Sequence, residues 1–281
     1  MNDEMEPMGQ LSAHLDRGWD LLARGNLAGA MLSADESLEL DAESPEAHNL
    51  KGYVLQAEGR ADEALEHYRT ALELDEGYVD AMLNAADVLI HPLGDWDGAL
   101  EMVREALDWL QEDELYERAD ALLLEVDIHL HRGDRTAAAK VVRELPEGPF
   151  ENAALRLQVG RAHLDVGDLD RAEPLLEAAI AEGPVSGDAH YYRALLHEAK
   201  EEPERALVAF LEARELDAGA PRPPWALPRD QLERRVQAAL AALPAPLAAV
   251  LEGALVVVTD LPGAEAVADG LDPRMPVLLD A

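Results

Sequence analysis

From Pro45 to Tyr78 the chain reads PEAHNLKGYVLQAEGRADEALEHYRTALELDEGY. Ala64, Leu65, Tyr68, Ala71 and Leu72 recur three and four residues apart, which puts them on one face of a helix over about 62–74. A first helix over about 45–58 precedes it. Gly59 separates the two, because glycine tolerates the left-handed conformation that closes a helix. Neither helix can bury its apolar face alone, so the pair must stack on neighbours.

The neighbours are copies. Gly18 and Gly52, Gly25 and Gly59, Ala30 and Ala64, Leu40 and Leu74, and Asp41 and Asp75 each lie 34 residues apart. Gly133 and Gly167 keep that step, as do Ala138, Ala172 and Ala206. Self-similarity at a fixed period is the signature of a repeat architecture. Six helix–turn–helix repeats follow, at about 11–44, 45–78, 79–113, 114–150, 151–186 and 187–218. The third carries an extra residue and His91-Pro92, which predicts an early end to its first helix. The fourth ends at LPEGP, which predicts a shortened second helix.

Small and aromatic residues at Gly52, Ala64, Tyr68 and Ala71 make the repeat resemble the tetratricopeptide-repeat (TPR) family over about 11–218. The resemblance implies an all-α, right-handed helical solenoid and a role in holding other proteins. In that family the first helices line a concave groove. Carried over by repeat position, the groove residues are Leu15, Asp16 and Trp19, then Asn49 and Tyr53, then Asn84 and Asp87. They continue with Asp127 and His131, then Arg161, then Tyr191 and Tyr192. Family members that clamp a C-terminal carboxylate use lysine, asparagine and arginine here; Asn49 and Asn84 fit part of that set, but its basic residues are missing. This chain has aromatics and aspartates instead, which fit a protein or peptide with apolar anchors and basic residues.

Before the repeats, residues 1–10 carry no apolar pattern and are expected to be disordered. After them, 219–228 is a Pro-rich linker, with Trp225 expected to cover the end of the last repeat. A helix over about 229–243 is predicted from Leu232, Val236, Ala239, Leu240 and Leu243, followed by a short helix over about 246–251. Strands are predicted over 254–259 and 275–279, giving a small C-terminal α+β extension. Residues 229–281 resemble the opening of a bacterial zincin-like metallopeptidase domain and stop before that family's HExxH helix. The tail is expected to pack against the repeats or to be partly disordered.

Composition narrows the function. The net charge is -35, and Lys51, Lys140 and Lys200 are the only lysines. Such a surface repels phosphate backbones and anionic membranes, which excludes a general nucleic-acid or membrane binder. It attracts a basic partner. With no cysteine, disulfides, thiol catalysis and Cys-based zinc sites are excluded. The amino-terminal residues have neither a basic nor an apolar targeting region, and the chain is expected to be cytoplasmic.

Catalytic signals are absent. There is no phosphate loop, no GxSxG elbow and no complete HExxH, since Glu201 stands where the second zinc ligand belongs. His129, His163 and His197 share one repeat position. Adjacent helices lie about 8–10 Å apart, whereas zinc nitrogens sit at about 2 Å, so these histidines are expected to pack half-buried with one ring nitrogen bonded. The reading is therefore a non-enzymatic adaptor without cofactor or metal. Its alternatives are the non-catalytic part of a TPR-fused metallopeptidase, and a self-associating structural protein.

Overall fold

The computed structural model describes residues 7–111, 113–148, 150, 152–182, 186–220, 227–250 and 258–275. The chain divides into two compact units, residues 1–149 and 150–281. Among the described residues the structure is helical and contains no strand.

The first unit holds four helix pairs: α1 (Pro7–Ala23) with α2 (Leu27–Leu40), α3 (Pro45–Ala57) with α4 (Ala61–Leu74), α5 (Val79–Val88) with α6 (Trp96–Trp109), and α7 (Leu115–His131) with α8 (Arg135–Val142). Within it each second helix packs on the next first helix, and α1, α3, α5 and α7 lie beside one another in turn. The second unit holds α9 (Ala153–Val166) with α10 (Leu169–Glu182) and α11 (Gly187–Ala199) with α12 (Pro203–Gly219). Three short helices follow: α13 (Arg229–Ala241), α14 (Ala245–Val250) and α15 (Ala264–Ala268).

The repeated small residues explain the packing. Ala30, Ala64, Ala99, Ala138, Ala172 and Ala206 occupy one repeat position and are all buried. Small side chains there let paired helices approach closely. The turns repeat as well. Gly25, Gly59, Gly133 and Gly167 have φ between 72° and 86°, where a Cβ is strained. Several second helices are capped: Asn26, Asp95 and Asp134 accept the backbone N–H of Gly29, Gly98 and Ala137 at 2.9–3.0 Å. Each cap contributes about 1 kcal/mol.

Three expectations change. The α-helical part of the third repeat's first helix does end early, at Val88, but the chain does not leave the helix there. It continues as a π-helical turn, Leu89–Leu93, closed by the Asp95 N–H bonding to the Leu89 carbonyl at 2.8 Å. The wider turn absorbs the extra residue without shifting α6 out of register. At the other end, α1 starts at Pro7, inside the segment expected to be disordered. Proline fits a first helical turn, where its missing N–H costs nothing. Residues 1–6 lie outside those described.

The α+β character expected of the C-terminal extension is not found among the described residues. The strand predicted over 254–259 falls mainly on residues outside them, and Val258 and Thr259 are not in a strand. The strand predicted over 275–279 and Trp225 also lie largely or wholly outside the described residues. On the last repeat, α15 packs on α12 and places Val267 against Ala194, Ala206, Ala209 and Phe210.

Candidate functional site

In the first unit, α1 and α3 bring Trp19 and Tyr53 together. Their rings meet edge to face, 5.4 Å apart at 69°, and remain 37% and 40% exposed. Gly18 makes the close packing of α1 on α3 possible, since a Cβ there would stand 2.5 Å from a Leu50 methyl. Leu15 sits half-buried over Ala30, Ala34, Leu50 and Val54, and Asp16 is exposed.

Asn49 is 1% exposed. Its amide donates to the Tyr78 hydroxyl at 3.2 Å, and its carbonyl accepts from Asn84 Nδ2 at 3.0 Å. The two asparagines thus tie α3 to α5 across the repeat boundary. Burial pushes the Tyr78 hydroxyl up to about 12, with Asp80 adding to the rise and the Asn49 bond opposing it.

Asp87 is half-buried, and both its oxygens are engaged. Oδ2 accepts from Gln56 Nε2 at 2.5 Å, and Oδ1 lies 3.4 Å from His91 Nε2. The Gln56 carbonyl accepts from the buried Tyr68 hydroxyl at 2.8 Å, so a chain of contacts runs from the core through Gln56 to Asp87. Burial raises Tyr68 above the usual tyrosine range, which keeps it a donor. On α7, His131 stacks on Trp96 at 4.7 Å and 19° and bonds through Nδ1 to the Asp127 carbonyl at 2.8 Å. Its ring also faces His91 edge to face at 6.4 Å.

The remaining predicted residues belong to the second unit. Arg161 Nε lies 3.7 Å from Asp165 on the same helix. Tyr192 packs half-buried against the cluster of Leu164, Ala172, Leu176 and Leu196. Tyr191 is covered by the chain itself: its hydroxyl donates to Asp272 at 2.9 Å, and the Arg274 guanidinium lies 4.6 Å over its ring. Burial, with Asp272 adding, pushes Tyr191 up to about 12.

Among residues that repeat position did not single out, Trp96 and His91 complete the aromatic cluster at His131, and Asp188, Asp217 and Arg274 form an ion cluster at the last repeat. The signal for that cluster was present: Arg274 is the lone cation after Arg235. The three aligned histidines pack separately. His163 bonds Asp168 at 3.1 Å, His197 bonds Glu202 at 2.8 Å, and His129 faces Glu125 at 3.5 Å. Among the described residues no group of three or more His, Asp or Glu is placed to hold a metal ion. No described helix is long and apolar enough to cross a membrane.

Two family models, both described as Tetratricopeptide repeat, match the chain, one over residues 15–79 and 157–221 and the other over 55–123. No curated protein matches. Among solved structures, PilF of Pseudomonas aeruginosa is 20% identical with a TM-score of 0.60, covering 76% of this chain and 95% of its own. A tetratricopeptide-repeat protein from Parabacteroides merdae is 17% identical with a TM-score of 0.53, covering 76% and 81%. PilW, a type IV pilus biogenesis factor, is 13% identical with a TM-score of 0.57, covering 73% and 92%. At these identities the likeness establishes the fold. The family matches end at residue 221, and the metallopeptidase resemblance of 229–281 receives no support from them.

Proposed function

Because the chain belongs to the tetratricopeptide-repeat family, whose members generally mediate protein–protein contact, we propose that it is a non-catalytic adaptor holding a partner peptide or domain on the first-helix face of its N-terminal unit. The observation that carries this reading is the Trp19–Tyr53 pair, two large aromatic rings left more than a third exposed where two repeats meet. Aromatic rings in such a place are the commonest hot spots of protein interfaces, because they offer large rigid area at small entropy cost.

Charge gives the partner its chemistry. Asp16 stands exposed one helical turn from Trp19, and Asp87 is pre-oriented by Gln56 further along the face. A partner with an apolar side chain for the ring pair and lysine or arginine beside it satisfies both. Asn49 and Asn84 act from below, fixing the spacing of α3 and α5, rather than as free donors.

Fluorescence anisotropy with labelled twenty-residue peptides tests the proposal, comparing an amphipathic Leu/Arg peptide with its Leu/Glu counterpart. The Leu/Arg peptide should bind, and the Trp19→Ala/Tyr53→Ala variant should lose at least ten-fold in affinity with an unchanged circular dichroism spectrum. The remaining affinity should fall with added salt, as the Debye length shrinks from about 10 Å at 0.1 M. Equal binding by wild type and the double variant would remove the ring pair from the site. Binding that ignores Asp87→Ala/Asp127→Ala and salt would remove the charge argument.

A further inference from the structure

The last repeat contains a built pocket for a guanidinium group. Arg274 Nε and Nη2 donate to the two oxygens of Asp217 at 2.9 and 3.0 Å, and Nη1 donates to Asp188 at 2.7 Å. Its plane lies over the Tyr191 ring at 4.6 Å. Two-point pairing with a carboxylate and stacking on an aromatic ring are arginine's own recognition modes, and lysine satisfies neither. Asp217 lies near the C-terminus of α12, where the helix dipole disfavours a carboxylate. Asp188 faces the same guanidinium, so without a cation the site would hold two carboxylates in each other's field. The pocket therefore calls for a cation.

Arg274 arrives on a thinly buried segment, held besides by Val267, by the Tyr191 hydroxyl on Asp272 at 2.9 Å and by Arg214 Nε on the Pro262 carbonyl at 2.6 Å. Among the described residues after Gly219, only Val267 and Pro273 are buried. Helix α13 buries none of its residues, and α15 has five residues, too few to persist without docking. Covering an apolar helix end requires only apolar side chains. Using a half-buried arginine for it incurs a desolvation cost that two aspartates must offset.

We propose that the end of the last repeat is an arginine-binding site, filled in cis by the chain's own segment 258–275, and that this segment is a displaceable stand-in for a partner peptide carrying a branched apolar residue followed, a few residues on, by arginine. Val267 and Arg274 mark the two subsites. The tether gives the segment an effective concentration of order millimolar, so a trans peptide competes only when it binds tightly or when Arg274 is released. The site belongs to the C-terminal unit and does not depend on the Trp19–Tyr53 face, so each succeeds or fails alone.

The probe is a fluorescein-labelled peptide with the sequence of residues 258–275, titrated against the full chain in about 0.15 M salt, where the Debye length is about 8 Å. Wild type should bind it weakly, and Arg274→Ala at least ten-fold more tightly. Adding Asp217→Asn to that variant should abolish the gain. Arg274→Lys, which keeps the charge and loses the fork and the stacking, should fall between. Hydrogen exchange on the wild type supplies a reading that needs no variant: amides of 264–268 should exchange at least a hundred-fold faster than those of α12. A folded Arg274→Ala chain that binds the peptide no better than wild type would overturn the proposal. So would exchange of 264–268 only together with α12, which would make the segment a fixed cap.

Discussion

The ring of Tyr68 on α4 lies against the backbone of α3 at Gly52, so closely that a Cβ at position 52 would stand 2.6 Å from its Cε1. Tyr68 is fully buried, and its hydroxyl reaches past the glycine to Gln56. The contact joins the two helices of one repeat and connects its core to the Gln56–Asp87 pair at the surface.

Gly52→Ala should therefore destabilise the chain although alanine is the better helix former. Inserting a methyl into a closed contact costs about 1–3 kcal/mol, which outweighs the propensity gain of about 1 kcal/mol. Thermal unfolding followed by circular dichroism checks it: a lower midpoint is expected for Gly52→Ala. Gly52→Ala combined with Tyr68→Ala should recover none of the loss, because the ring's burial goes with the clash.

Glu201 offers the opposite case. It has φ 59° at the turn where the five other repeats place glycine, Gly25, Gly59, Gly94, Gly133 and Gly167. A side chain in the left-handed region costs about 1–2 kcal/mol, and glycine's added freedom in the unfolded chain returns part of that. Glu201→Gly should stabilise by about 0.5–1 kcal/mol, a rise of about 1–4 °C in the melting midpoint for a chain of this size. An unchanged or lower midpoint would show that the turn is not strained.

Asn49→Ala separates a structural role from a ligand-binding one. Losing the side chain leaves Asn84 without its acceptor and Tyr78 without its donor in a mostly buried setting. A cost of about 1–3 kcal/mol is expected. Denaturant unfolding should show it in the absence of any partner. A variant with wild-type stability and weakened partner binding would instead make Asn49 a contact residue.

The pH dependence of stability has a local source at His67. Burial, then Lys51 and His48, push its imidazole down to about 4, against the opposing pull of Asp35 and Glu63. His48 Nδ1 meets His67 Nδ1 at 2.9 Å, a contact that holds a single proton. Unfolded, His67 titrates near its ordinary value of about 6.5. Between pH 6.5 and 4 the unfolded chain binds the extra proton, so this contribution is complete above about 6.5 and is lost as pH falls toward 4. Burial lowers His163 as well, with the same sign. Asp80 and Asp120, raised by burial and then by Glu117, act oppositely at lower pH. Melting midpoints of wild type and His67→Gln between pH 7.5 and 4 isolate the part that His67 plays. The loss on acidification should be smaller in the variant, and parallel curves would remove His67 from the account.

The sequence by itself determined the repeat. The 34-residue step, the turn glycines and the small residues on both helices act through neighbours a few positions away. A local pattern of that kind fixes helix, turn and helix whatever lies beyond. The equivalence of Trp19 and Tyr53 was legible for the same reason, since they stand 34 residues apart at one repeat position, while their ring contact came only with the packing of α1 on α3. Only the tertiary structure decided which polar groups end up paired. Asn49 reads as a groove residue and is buried beneath Asn84. His91-Pro92 reads as an early stop and becomes a π-helical turn. Tyr191 reads as open surface and lies under Arg274, 83 positions later. Such contacts depend on which distant group arrives with a matching donor, charge or ring. No periodicity along the chain records that choice, because it is made by packing between segments whose separation in sequence carries no signal.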